Sequence, residues 1–359
     1  MVDIAADLST LCFESGLADD EKKLLYLRAR SAGLTFCGCA HAAFVCELID
    51  SLSRFINLYY RCAIKRRTAK IRKPVAPGED DDLRVGILGM GHLGKQLCLA
   101  LLEKTKIKPS NIKISTRRPE LAGTHTKKVE CFFDNRRLAA WADVLFLCCL
   151  PSQIPKVCVD LCSHLAKHCL VYSFTSAIPV TKLAKLLGHD YILKPKYDVV
   201  SCDTVDVWLS CSPVATALSD PLLIEASCPL TMKGGISLGL NWVCAVLYIL
   251  LNICTSASLG SNEALLLIKS IFKEKCGDTV QLNAHSFINS SYASSLLSDE
   301  PFPWISLTDA QIRETPLLRF LSSSKSVQQW VYLLLLPISV KLLCYTSSFT
   351  YPYAVLKTQ

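Results

Sequence analysis

The segment Gly89-Met90-Gly91-His92-Leu93-Gly94 carries three glycines in the spacing of a loop that cradles phosphate. In such a loop the first glycine permits a tight turn. The second, lacking a Cβ, lets a pyrophosphate approach the backbone, and the third lets the following helix pack closely on the preceding strand. A helix starting here would point free N–H groups and a partial positive charge at the phosphates. About twenty residues on, where an NAD-binding domain keeps a carboxylate for the ribose hydroxyls, stand Ser115-Thr116-Arg117-Arg118-Pro119. Two guanidiniums suit bidentate contact with a 2′-phosphate, and Ser115 or Thr116 can add a hydroxyl donor. The expected cofactor is therefore NADP(H). A solvated basic turn is the plain alternative for these arginines.

The elements that must hold these residues read as an alternating pattern. Leu83 to Leu88 is a short apolar strand that runs straight into the glycine loop, and Leu93 to Leu102 is a helix pattern. Ile112 to Thr116 and Val129 to Phe133 read as strands, and Arg136 to Trp141 as a short helix. Asp143 to Leu150 is a continuous apolar run, as expected of a parallel strand buried on both faces. Ile154 to Leu165 is helical, Cys169 to Phe174 a strand, and Val180 to Leu187 a helix ended by Gly188. Tyr191 to Leu193 opens a last strand. Strands alternating with helices through short connections predict an α/β fold with a parallel sheet, here a Rossmann-type dinucleotide-binding domain over residues 83–200.

Two further zones flank it. Residues 1–82 carry helical apolar spacing through Phe44, Leu48, Leu52, Phe55 and Tyr59, and end in a Pro, Gly and Asp-rich linker. They predict an N-terminal helical extension. Residues 201–359 predict a mostly helical C-terminal domain. Its most apolar stretch, Ile236 to Cys254, nearly reaches the length of a membrane span, but Ser237, Gly239, Asn241 and Asn252 interrupt it. A buried oligomerisation helix, and with it a homodimer through the C-terminal helices, is the favoured reading over a span. The run Val331 to Leu336 stops at Pro337 and is too short to span.

Composition bounds the rest. In 359 residues, 51% hydrophobic and 19% charged, a full core can form without staples. The net charge of +8 suits an anionic ligand and does not call for nucleic acid. Much of the excess lies in Arg61 to Lys73, which could face acidic lipid or nucleic acid, or be a solvated helix end. The 19 cysteines are odd in number, and many sit in apolar runs. Together with an N-terminus that lacks a cationic lead, they predict free thiols in an intracellular, cytoplasmic protein. Cys37-Gly38-Cys39-x-His41, with Cys46 beyond, has too short a spacing for a zinc site, so no metal is expected. Seven histidines show no Ser-His-Asp order. His92 reads as a helix-start residue beside the cofactor.

These motifs resemble the pyrroline-5-carboxylate reductase family. The likeness rests on Val85 to Gly94, Ser115 to Pro119, Ala142 to Pro151 with Ile154-Pro155, and Val171 to Phe174 leading to Ile178-Pro179. It covers about a third of the chain. The family reduces a cyclic imine to proline with a nicotinamide cofactor, so the resemblance implies an oxidoreductase of proline biosynthesis with a small-molecule substrate. It also implies that Leu150 and Pro151 line the cofactor. The chain departs from the family where the substrate would sit. Leu150-Pro151 replaces Lys-Pro, and Lys194-Pro195-Lys196 replaces a Met-Pro-Asn-type segment. Gly234 to Asn241 stands in place of a Ser-Gly-Ser-Gly-Pro-Ala-Tyr helix start. Lys194 and Lys196 are candidate proton donors or anchors for a substrate carboxylate, or else surface lysines. The departures leave a second expectation open, a catalytically degenerate NADP(H)-binding scaffold.

Overall fold

The computed structural model describes residues 16–22, 24–67, 82–122, 128–199, 207–208, 211, 213–228, 234–276 and 282–323. The linker before Asp82, the basic run beyond Arg67 and the stretch Val331 to Leu336 lie outside them.

The chain opens with a long helix, α1 (Leu25–Arg67). No proline interrupts its 43 residues, which span about 65 Å at 1.5 Å per residue. The sheet elements follow: β1 (Val85–Leu88), α2 (His92–Lys104), β2 (Ile112–Ser115), β3 (Glu130–Phe132), α3 (Asn135–Trp141), β4 (Val144–Leu147), α4 (Ile154–Leu161), β5 (Leu170–Ser173), α5 (Val180–Leu187) and β6 (Ile192–Leu193). The six strands form one sheet in the order β3-β2-β1-β4-β5-β6, every pair parallel. This is the doubly wound order, and it brings the carboxyl ends of all six strands to one edge. β1, β4 and β5 are buried at every position, so the apolar runs of the sequence lie between two helical layers.

One layer is α3, α4 and α5, whose Leu138, Ile154, Leu161 and Leu183 pack on Leu145, Leu147 and Val171. The other face carries Ile87, Phe146 and Tyr172, and α2 covers only part of it. Over the rest lie α1 and a later helix, α7. The N-terminal helix is thus built into the core: Phe36, Phe44, Val45, Leu48 and Leu52 are buried. Gly38 lets it approach the sheet, since a Cβ there would come within 3.0 Å of the Phe174 ring just beyond β5.

After β6, the strand β7 (Tyr197–Val199) pairs antiparallel with β8 (Ile236–Leu238), with α6 (Pro221–Ser227) between them. Then come α7 (Leu240–Ser256), α8 (Ser261–Cys276), α9 (Leu307–Ile312) and α10 (Pro316–Ser322). The apolar stretch Ile236 to Cys254 is therefore a strand and a 17-residue helix, buried as expected but by this chain's own α1, α8, α9 and α10. Its burial needs no second copy. The helical stretch Asp19–Arg61, most of it in α1, is long and apolar enough to cross a bilayer by length and composition, yet 78% of its apolar window is buried inside the fold.

Two side-chain clamps fix the sheet. At the amino ends, Arg84 grips Asp143 with Nη2 at 2.7 Å and Nε at 3.0 Å, tying β1 to β4. At the free edge, the Gln311 amide on α9 donates to the Ile192 carbonyl (2.6 Å) and accepts from the Lys194 N–H (2.9 Å). Gln311 thus supplies β6 with the pairing that a seventh strand would give, which protects an exposed edge.

Candidate functional site

The glycine loop leaves β1 at the carboxyl edge. Gly89 has φ +101°, a left-handed conformation open to glycine. Its N–H bonds the Ser115 carbonyl at 2.9 Å, so the turn is anchored to the end of β2. A Cβ on Gly89 would also meet the Cys148 carbonyl oxygen at 3.0 Å, because the chain leaving β4 passes directly beneath. Gly94 packs its first helical turn on the Gly89 carbonyl, and a Cβ there would overlap that oxygen. Gly91 is the opposite case, with nothing within 4 Å of a Cβ built on it. It is exposed and is the N-cap of α2, and no side chain caps the helix. The N–H groups of His92, Leu93 and Gly94 therefore have no intrahelical partner and no capping side chain, in front of open space. This cradle fits a pyrophosphate.

Other strand ends line up beside it. Next to β1 on one side is β2, followed by half-buried Thr116 and by Arg117 and Arg118, both exposed. Neither arginine has an ion-pair partner among the described residues. Ser115 is buried, with its hydroxyl donated to Asn135 Oδ1 at 2.7 Å, and Asn135 in turn donates to Asp160 at 2.9 Å. It is a structural link between β2 and α3, which corrects its reading as a phosphate donor and leaves Thr116. On the other side of the loop, β4 ends in Cys148-Cys149-Leu150-Pro151. Leu150 is 65% exposed, and Pro151 opens a short 3-10 turn into α4. Burial pushes the Cys148 thiol up and the Cys149 thiol up to about 11, so both are protonated at neutral pH.

Lys194 and Lys196 follow β6. The Lys194 ammonium bonds the Ser176 carbonyl at 3.2 Å, which places it just beyond the end of β5. Partial burial, and next the Lys196 charge, lower the Lys194 pKa. Lys196 is exposed. Along the carboxyl edge the candidates therefore run Arg117–Arg118, glycine loop, Leu150–Pro151, Lys194, in strand order β2, β1, β4, β6. A cleft of about 620 Å³ lined by Arg84, Asp143, His168 and Trp304 opens at the other, amino-terminal edge and has no part in this row.

The Cys-x-Cys-x-His segment of α1 is a packing feature. His41 is buried, and its Nε2 donates to the Ser227 carbonyl at 2.8 Å, since a carbonyl can only accept. Its Nδ1 must then accept from the Tyr197 hydroxyl at 2.9 Å. Burial lowers the His41 pKa to about 4 and pushes the Cys39 thiol up to about 12. Among the described residues, no three His, Cys, Asp or Glu side chains are grouped to hold a metal ion. The His41–Tyr197–Ser227 link and the Gln311 clamp were not legible beforehand, because their partners are 156, 186 and 117 positions apart.

The chain is similar to several known proteins. The family described as NADP oxidoreductase, coenzyme F420-dependent, matches residues 84–176. NADP-dependent oxidoreductase domain-containing protein 1 of Mus musculus is 41% identical over 342 residues, 93% of this chain and 92% of the mouse protein. Pyrroline-5-carboxylate reductase of Escherichia coli is 28% identical over 109 residues, 30% of this chain and 40% of that enzyme. Among solved structures, a pyrroline-5-carboxylate reductase from Coxiella burnetii aligns with 72% of this chain and 98% of its own, at 17% identity and TM-score 0.31.

Proposed function

The chain belongs to the family of NADP-dependent oxidoreductase domain-containing proteins, and from that premise we propose that it binds NADP(H) along the carboxyl edge of its sheet and delivers hydride to a small imine or carbonyl. The observation that carries this reading is the uncapped start of α2 at Gly91, facing open space and flanked by two exposed arginines at the end of β2. The pyrophosphate would rest on the His92, Leu93 and Gly94 N–H groups. Arg117 and Arg118, with Thr116, would hold the 2′-phosphate. Met90 and Leu93 would border the loop, and Leu150 and Pro151 would wall it on the β4 side. When bound, NADPH supplies the hydride.

The residues of this chain then have to orient the cofactor, exclude water and furnish a proton. Lys194 is the candidate donor, because its ammonium stands at the same edge as the loop. Lys196, exposed beside it, would help hold an anionic substrate group. A reducing, cytoplasmic setting suits the free thiols. A homodimer through the C-terminal helices would use surface left exposed by the packing of α7 on α1, α8, α9 and α10.

One observation favours a second reading, an NADP(H)-binding scaffold without turnover. The Lys194 ammonium is already engaged by the Ser176 carbonyl, in the segment where Lys194-Pro195-Lys196 stands in place of the Met-Pro-Asn of the resembling reductases. The deciding measurement is NADPH oxidation by the purified chain with pyrroline-5-carboxylate and a panel of imines and carbonyls. Turnover with any of them supports the oxidoreductase. Tight NADPH binding without turnover selects the scaffold, and no NADPH binding removes both.

A further inference from the structure

Resting on the cofactor reading above, we infer that Phe133 is the platform on which the adenine base of the cofactor stacks. The pyrophosphate cradle is at β1 and the two guanidiniums are at the end of β2. A dinucleotide laid from β1 across β2 sends its base onward, toward the next strand in the sheet, which is β3. The carboxyl ends of β2 and β3 are tied together there, because the Thr116 N–H bonds the Phe132 carbonyl at 2.9 Å. Phe133 is the next residue. It is 66% exposed, the most exposed aromatic side chain among the described residues.

The exposure is informative because the local sequence offers Phe133 a place to hide. It immediately precedes Asp134, the N-cap of α3, whose carboxylate accepts from the Arg137 N–H. A hydrophobic residue in that position ordinarily folds down against the fourth residue of the helix, here Leu138. Leu138 is instead wholly buried in the core beneath the sheet, while Phe133 stays exposed. Its neighbour Phe132 is the one that turns inward, with the Arg137 guanidinium 4.5 Å from its ring. Phe133 therefore presents its ring to solvent one residue beyond the tie between β2 and β3, and the two guanidiniums that follow Thr116 have no ion-pair partner among the described residues, a surface matched to a purine carrying a nearby phosphate. Stacking of a base on an aromatic side chain is sequence-tolerant and strong enough to read in a binding constant.

The test uses the full chain and three probes: NADPH, 2′,5′-ADP and nicotinamide mononucleotide, with calorimetric affinities. F133A should weaken NADPH and 2′,5′-ADP alike, on the order of tenfold, and leave the mononucleotide unchanged. F133W should keep both affinities, because it keeps the ring. Unchanged 2′,5′-ADP affinity in F133A, or an equal loss in F133W, overturns the platform while the cofactor reading stands. If the wild-type chain binds neither NADPH nor 2′,5′-ADP, the cofactor reading falls and the platform with it. Because Phe133 is exposed, melting temperatures of the variants should match the wild type and certify that they are folded.

Discussion

Gly94 lies against the carbonyl of Gly89 with no room for a Cβ between them, whereas Gly91, midway between the two, faces open space. The same motif therefore contains a packing glycine and a glycine open to solvent, where the proposed pyrophosphate would lie. G94A should destabilise the domain, since the added methyl must displace the Gly89 backbone. G91A should melt like the wild type and lose NADPH affinity by at least tenfold, because its methyl would enter the space reserved for the pyrophosphate. Thermal melts and NADPH titrations of the two variants separate the roles. A G91A protein with full NADPH affinity would refute the cradle.

The proposed preference for NADP(H) rests on Arg117 and Arg118, both exposed at the end of β2. Each can form a charge-assisted hydrogen bond, typically about 1.5–3 kcal/mol. The double variant R117A/R118A should weaken NADPH by about 100-fold or more and change NADH affinity little. Equal losses for both nucleotides would mean that these residues serve folding or general electrostatics. Because both side chains are exposed, added salt should reduce the wild-type preference for NADPH as well.

Local patterns account for what the sequence made legible. The loop could be read because strand, glycines and helix are contiguous, and buried parallel strands announce themselves as unbroken apolar runs such as Val144 to Leu147. Gly188, predicted to end a helix, does so with φ +59°. The place of α1 was hidden for a different reason. Its apolar face shows only that something will cover it. That the cover is the sheet face beside Tyr172 and Phe174, with α7 alongside, is a fact of tertiary packing. The sequence leaves Ser115 and Thr116 as alternative hydroxyl donors, because the role of Ser115 depends on Asn135, twenty positions on, donating in turn to Asp160.

The Gln311 clamp should matter to both stability and chemistry. Q311A removes two hydrogen bonds to the backbone of β6 and should cost about 1–3 kcal/mol, measured by chemical denaturation. Q311E keeps the acceptor for the Lys194 N–H but loses the donor to the Ile192 carbonyl, so it should fall in between only if both bonds contribute. A neutral result for Q311A would show that β6 needs no edge pairing.

If Lys194 donates the proton, K194A should lower turnover strongly with little change in NADPH affinity. Its lowered pKa comes first from burial and second from the Lys196 charge. A protonated donor is required, so activity must fall as pH rises through the Lys194 pKa. K196A removes one of the two depressing influences, and the alkaline limb of the kcat profile should move to higher pH. An alkaline limb that stays in place in K196A, or shifts down, would remove Lys194 from the reaction.

His41 predicts how the fold responds to acid. Its pKa is about 4 in the folded protein against 6.5 for the free side chain, because burial penalises the imidazolium. Between those values the unfolded chain binds a proton that the folded chain refuses. Stability therefore rises with pH across this window, and is lost as pH falls from about 6.5 toward 4. At 1.36 kcal/mol per pKa unit, full protonation of the unfolded state costs about 3 kcal/mol. His189, half-buried and shifted in the same direction, adds to the slope. Asp82 and Glu130, whose pKa values are lowered first by hydrogen bonds from Lys108 and Lys113, add theirs at lower pH. H41Q isolates the His41 share, since the amide can still donate to Ser227 and accept from Tyr197 but cannot titrate. Urea denaturation from pH 4 to 7.5 should show the wild type losing stability faster than H41Q below pH 6.5, with the other groups common to both proteins. Parallel pH profiles would mean that His41 is not kept neutral by the fold.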